Sequence, residues 1–186
     1  MARVFIDTNV LFPFSVMDLM LALTEDGIHD VMWSDDLLNE WERVIVRERH
    51  RSPDAAAAIT ATIRQFFADT CVPAESYRSL VAEVDGPDPD DNAHMAAAVA
   101  ARVEALVTWN EKDFNCGFIK RHAVKVVGPD EYLCSLYEEF PSEVLATITR
   151  LAAGKHRPSM TPLDIADTLD RGGVSEFASR ARAHLT

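Results

Sequence analysis

The stretch Pro87-Asp88-Pro89-Asp90-Asp91-Asn92-Ala93-His94-Met95-Ala96-Ala97-Ala98-Val99-Ala100-Ala101-Arg102, with Ala105-Leu106-Val107-Thr108 close behind it, decides the fold. A proline-stiffened acidic loop enters an alanine-rich run, and alanine is the strongest helix former, so a helix is predicted over residues 92–102. Ala105 to Thr108 then predicts a strand, and Trp109 to Asn115 a loop. Toward the N-terminus, Arg3 to Ile6 reads as a buried strand halted by the turn-forming Asp7-Thr8-Asn9. Val16 to Leu23 predicts a helix ended near Gly27, and Val31 to Trp33 a second strand. Ser34 offers an N-cap with Asp35 and Asp36 in the first turn, where carboxylates complement the helix dipole. Leu37, Leu38, Trp41, Val44 and Ile45 then recur at helical spacing. Pro53 to Ala68 predicts another amphipathic helix, with Ile59, Ile63, Phe66 and Phe67 turned inward. Toward the C-terminus, Val124 to Val127 closes the set of strands at Gly128-Pro129. Strands alternating with helices predict an α/β fold, a central parallel sheet covered on both faces in three α/β/α layers.

Beyond Asp130 no strand signal remains. Glu131 to Glu139, Glu143 to Ala153, Leu163 to Asp170 and Ser175 to Leu185 all read as helices, with Thr161-Pro162 as N-cap and first helical position and Gly172-Gly173 as a break. The expected division is a domain over residues 1–140 and a helical C-terminal extension over residues 141–186. There is no internal repeat.

The chain has 186 residues, 18 Lys plus Arg against 30 Asp plus Glu, and a formal charge of −12. From Pro141 onward the balance is 6 basic against 5 acidic residues, so the first 140 residues hold nearly all the excess acid. Such a surface repels polyanions unless some carboxylates are neutralised by cations. No apolar run approaches the roughly 20 residues of a bilayer span, and no basic leader frames Val10 to Leu23, so the expected location is cytoplasmic, with no membrane association. Cys71, Cys116 and Cys134 form no CxxC pair and fit reduced thiols.

In an open parallel sheet the crevice lies beyond the carboxyl ends of the strands, and this selects a few of the 30 acids. Asp7 ends the first strand, Asp91 opens the alanine-rich helix, and Asn110 and Asp113 follow the strand Ala105 to Thr108. Glu40 borders the apolar stripe of its own helix. Four carboxylates from separate segments converging on one point would raise one another's pKa unless a cation joined them, and oxygen-only ligands suit Mg²⁺ or Mn²⁺. Taken singly, each acid has a plainer role: Asp7 in a turn, Asp90 and Asp91 as helix caps, Glu40 and Asp113 in water.

Four pieces in order carry a resemblance: Ile6-Asp7-Thr8-Asn9-Val10, Leu38-Asn39-Glu40, Pro87 to Asn92 leading into Met95-Ala96-Ala97-Ala98, and Val107-Thr108-Trp109-Asn110-Glu111-Lys112-Asp113-Phe114. This series resembles the PIN-domain ribonucleases, in particular the VapC toxins of bacterial toxin and antitoxin pairs, over roughly Ala2 to Asp130. The resemblance implies a metal-dependent endoribonuclease in which Asp7, Glu40, Asp91 and Asp113 bind Mg²⁺ or Mn²⁺ and are the catalytic acids. Water then attacks an RNA phosphorus in line, its pKa lowered by the cation. Two departures stand: Asn110 occupies a position where many relatives have Asp, leaving the fourth ligand open between Asn110, Asp113 and neither, and Asp90 competes with Asp91. Thr8 and Asn9 either contact the scissile phosphate or cap the turn after the first strand.

The resemblance also implies an antitoxin of the VapB kind covering the acidic groove, and a homodimer. Arg43, Arg47, Arg49 and Arg51, with His50, are the candidate RNA contacts, although basic residues at a helix C-terminus also complement its dipole. Lys120, Arg121 and His122 form a second basic cluster. A haloacid dehalogenase-like phosphatase would need an Asp where Asn9 stands, and no P-loop or nucleophile elbow is present. The rival from another class is a catalytically silent PIN-like module that binds RNA or protein.

Overall fold

A computed structural model describes residues 1–185. Four strands, β1 (Ala2–Ile6), β2 (His29–Met32), β3 (Ala105–Val107) and β4 (Lys125–Val127), form one sheet in the order β2-β1-β3-β4. All pairings are parallel, with Val4 opposite both Val31 and Ala105. The helices are α1 (Phe14–Glu25), α2 (Asp35–Arg47), α3 (Pro53–Phe66), α4 (Ala74–Tyr77), α5 (Asn92–Ala100), α6 (Glu111–Phe114), α7 (Gly117–Arg121), α8 (Pro129–Glu139), α9 (Pro141–Gly154), α10 (Pro162–Arg171) and α11 (Ser175–Arg182). The α/β fold with its central parallel sheet and C-terminal helices is therefore the one the alternation of periods predicts.

Val4, Phe5 and Ile6 of β1 are all buried, as the central strand of a parallel sheet requires. From β1 the chain crosses through α1 to β2 on one side, then returns through α2 to α5 and passes over β1 to β3 on the other. Right-handed crossovers in opposite directions place α1 on one face and the α2 to α5 segment on the opposite face. The same reversal opens a crevice beyond the carboxyl ends of β1 and β3, the switch point of the topology.

The strand β2 begins two residues earlier than its apolar signal, at His29, because Ala2 and Arg3 pair with His29 and Asp30. His29 is fully buried, its Nε2 2.9 Å from the Met20 carbonyl and its Nδ1 2.7 Å from the Tyr132 hydroxyl. Burial pushes its pKa down to about 4. Trp33 lies past the strand, bridges to Cys71, and donates its Nε1–H to the Phe67 carbonyl at 2.8 Å. Phe66 corrects the inward assignment made from spacing: it is 70% exposed, while Ile63 and Phe67 take the buried positions.

The caps read from the sequence are present. Ser34 accepts from the Leu37 amide, and Thr161 forms a reciprocal capping box with Asp164. The C-terminal helices pack on the sheet domain through α1, with Val144, Ile148, Ala152, Ile165 and Leu169 buried. Polar ties reinforce the seam. Thr147 donates to Asp26 at 2.6 Å, Arg150 pairs with Glu25 and Asp26, and Lys155 with Asp18. No helix among the described residues is long and apolar enough to cross a membrane.

Candidate active site

The site grows from the junction of β1 and β3. The Asp7 amide continues the ladder by donating to the Val107 carbonyl at 2.9 Å, and the Thr108 hydroxyl donates to Asp7 Oδ2 at 2.7 Å. Asn9 ties the two loops together, its Nδ2 donating to Thr108 Oγ1 at 3.2 Å and its Oδ1 accepting from the Trp109 amide at 3.2 Å. Asp7 is only 5% exposed, and burial raises its pKa despite the Thr108 bond and the nearby His94. Thr8 is buried beside it, with its Oγ1 lacking a hydrogen-bond partner.

Helix α2 is docked onto the turn after Asp7 by Trp41, whose Nε1–H donates to the Leu11 carbonyl at 3.2 Å. This carries the neighbouring Glu40 to the crevice, where its Oε2 lies 2.6 Å from His94 Nε2 of α5. That hydrogen bond lowers the Glu40 pKa. Burial alone would lower the pKa of His94, but the bond to Glu40 and the charges of Glu40, Asp7 and Asp91 outweigh it and raise the value.

Asp91 occupies the N-cap position of α5, yet its side chain makes no capping hydrogen bond. Asp88 caps the short turn before it instead, accepting from the Asp90 amide at 3.0 Å, and Asp90 itself is exposed. Freed from capping, the Asp91 carboxyl is pushed up to about 6, first by burial and then by Asp7, with Asp88 and Glu40 adding and His94 opposing.

Asp7, Glu40 and Asp91 therefore form one electrostatically coupled group with His94 among them. Asp113 is not among the leading charges that act on any of them. It sits in α6 and accepts a hydrogen bond from the Asn110 side chain on the outer side of the β3 loop. Beside this pair opens a cleft of about 520 Å³ lined by Trp109, Asn110, Glu111, Lys112 and Asn115. The indole of Trp109 is 42% exposed and rests on Gly173, where an added Cβ would stand 3.1 Å from its ring.

The candidate RNA contacts differ among themselves. Arg43 lies near enough to Glu40 to lower its pKa, whereas Arg47 pairs with Glu48 and Arg51 stacks over Phe14, 4.0 Å from the ring centroid. All four arginines are exposed, and Arg49 takes a left-handed conformation past the end of α2. At the far end of the chain, Arg180, Arg182 and His184 are tied to neighbouring side chains. Arg180 pairs with Glu138 and Glu176, Arg182 with Asp167 and Asp170, and Tyr137 with His184.

His94 is the residue that reading the sequence missed. It stands three positions after Asp91 on the same helix, the spacing that puts both on one face, and that spacing could have revealed it. Among the described residues no three His, Cys, Asp or Glu side chains already enclose a cation-sized point. Two of the three acids are turned to protein partners, Glu40 to His94 and Asp7 to Thr108. The donor chemistry still fits a hard divalent ion: carboxylate oxygens only, two of them with raised pKa from burial and mutual repulsion, and an unpartnered Thr8 hydroxyl beside them.

Residues 3–112 match the PIN domain family, and the chain belongs to it. Residues 129–183 match the family described as the VapC50 C-terminal domain. The chain is similar to the Mycobacterium tuberculosis protein named "Putative ribonuclease VapC50", 30% identical over 106 residues, which cover 57% of this chain and 62% of that protein. Membership of the PIN family points to a nuclease-type function, and PIN domains generally use divalent metal ions.

Proposed function

We propose that this protein is a metal-dependent endoribonuclease that hydrolyses RNA phosphodiester bonds, and that it is the toxin of a VapBC-type toxin and antitoxin pair. The observation that carries this reading is the group of buried Asp7 and half-buried Glu40 and Asp91 at the switch point between β1 and β3, where burial and mutual repulsion would be relieved by a cation. On this reading Asp7, Glu40 and Asp91 hold Mg²⁺ or Mn²⁺. Asp113, oriented by Asn110, lies at the rim as a fourth acid, and Asp90, Thr8 and Asn9 support the loops. A bound divalent ion supplies charge neutralisation at the phosphate and lowers the pKa of water. Thr108 aims Asp7 and opposes the effect of its burial by donating to it, and Arg43 with Arg47, Arg49 and Arg51 offers the phosphate backbone a local positive strip on an acidic chain.

A cytoplasmic enzyme of this kind needs restraint, and a VapB-like antitoxin that inserts a basic side chain among the carboxylates would provide it. A homodimer, and a division into a nuclease domain over residues 1–140 and an extension over residues 141–186, complete the proposal. One observation favours the rival reading of a silent binding module: Glu40 and Asp7 already have protein partners, so no three-ligand set stands ready among the described residues. The two readings separate in one experiment. Purified chain is incubated with single-stranded RNA in Mg²⁺, in Mn²⁺ and in EDTA, with Asp7→Asn alongside. Cleavage only with the metals, lost in Asp7→Asn, supports the nuclease. RNA binding without cleavage under every condition identifies the silent module, and equal cleavage in EDTA overturns the metal reading.

A further inference from the structure

His94 is 1% exposed, and the positions after it on α5, Met95 through Ala98, are buried and apolar or small. A nonpolar residue would pack there without the cost of desolvating an imidazole. Only one of the ring's two polar atoms is repaid. Nε2 meets Glu40 at 2.6 Å, while Nδ1 is buried without a partner. The pairing places a proton on Nε2, donated to the carboxylate, and Nδ1 has no partner whether the ring is neutral or charged. The ring is held from another side by Phe5 of β1, two residues before Asp7, with centroids 6.3 Å apart. The imidazole thus joins the three elements that carry the acids: β1 with Asp7, α2 with Glu40, and α5 with Asp91.

We propose that His94 is a positioning residue that holds the Glu40 carboxylate in the site by donating from Nε2 to Oε2, so that Glu40 presents its other oxygen as a fixed ligand rather than a mobile helix acid. This rests on the nuclease reading, in which Glu40 is a metal ligand. Glu40 is half-buried in the middle of α2, and the hydrogen bond from His94 is the strongest single influence on its carboxylate. Without His94 it would keep the rotamer freedom of a surface glutamate and would have to lose it on binding a cation. Partners that orient ligating side chains in this way typically carry a large share of metal affinity.

The test measures Mn²⁺ affinity by the electron paramagnetic resonance signal of free Mn²⁺, together with RNA cleavage, in the full chain. Loss of the donor in His94→Leu should weaken Mn²⁺ binding about 10-fold. His94→Gln, whose amide nitrogen reaches where Nε2 lies, should bind close to wild type, and His94→Asn, which reaches only as far as Nδ1, should behave like the leucine variant. In a Glu40→Gln background, His94→Leu should cause no further loss. The Gln and Asn variants carry the test if leucine does not fold. Wild-type Mn²⁺ affinity in both His94→Leu and His94→Asn overturns the proposal, as does a loss that adds to that of Glu40→Gln. If Glu40→Gln alone leaves Mn²⁺ affinity unchanged, the assignment of Glu40 as a ligand fails and takes this proposal with it. If Glu40→Gln weakens binding and the His94 variants do not, only the proposal fails.

Discussion

In the crevice beyond β1 and β3, three carboxylates face one another with a single imidazole among them. Along the C-terminal helices, Arg150, Lys155, Arg180 and Arg182 each sit against one or two carboxylates. Both regions are rich in acid, but one leaves its charges in conflict and the other pairs them. Pairing at a half-exposed surface contributes modestly to stability. Crowded like charges subtract from it, and such a group persists where something outside the chain is meant to complete it.

The contrast is most sharply tested by neutralising one member of each region. Asp91→Asn should cut RNA cleavage at least about 100-fold, the scale of losing an electrostatic clamp on the reacting phosphate. In metal-free buffer at pH 7 its melting temperature should hold or rise, because an amide of the same size removes a repelled charge. Arg150→Ala should do the reverse, leaving cleavage intact and costing about 1 kcal/mol of stability through its bonds to Glu25, Asp26 and the Ala22 carbonyl. A lower melting temperature with cleavage retained in Asp91→Asn would return that acid to the role of a helix cap.

A buried group outside both regions adds a pH dependence of its own. Folded His29 titrates near 4 against 6.5 when unfolded. Between these values the unfolded chain binds the extra proton, so stability is full above pH 6.5 and falls toward pH 4, by up to about 3 kcal/mol. Asp91 works in the opposite sense, since its folded carboxyl takes its proton near pH 6 and the unfolded one near 3.8. The two nearly cancel, so denaturant melts of metal-free protein from pH 7 to 4 should change little in wild type, fall toward pH 4 in Asp91→Asn and rise in His29→Gln. A pH-independent Asp91→Asn variant would mean that His29 is solvated.

The smallest effect probes where the two regions touch. Gly173 has φ +97° and lies under the Trp109 indole, whereas Gly27, at φ +71°, has open space around it. Alanine at either position carries the strain of a left-handed backbone, about 1 kcal/mol, but only Gly173→Ala also displaces Trp109. A shift in tryptophan emission should accompany Gly173→Ala and be absent from Gly27→Ala. Identical spectra would separate the extension from the rim of the site.

What could be read from the sequence is what neighbouring residues decide among themselves. The alanine-rich run makes α5 and the stripe from Leu37 to Ile45 makes α2, because helical period and capping are local. Ser34 and Thr161 cap as expected because a cap and its amide lie within one turn. Asp7 and Asp91 could be chosen because strand ends and helix starts mark where a parallel sheet opens. Tertiary structure decided the rest, through partners far apart in the chain. Pairing with Ala2 and Arg3 starts β2 at His29, whose polar neighbours give no strand signal. Carboxylates on α8, α10 and the start of α11 hold Arg180 and Arg182, and Phe67 rather than Phe66 reaches the core. The bond between Glu40 and His94 spans 54 positions, and neither residue signals the other, because two elements separately built to bury apolar faces meet there only after both have packed on the sheet.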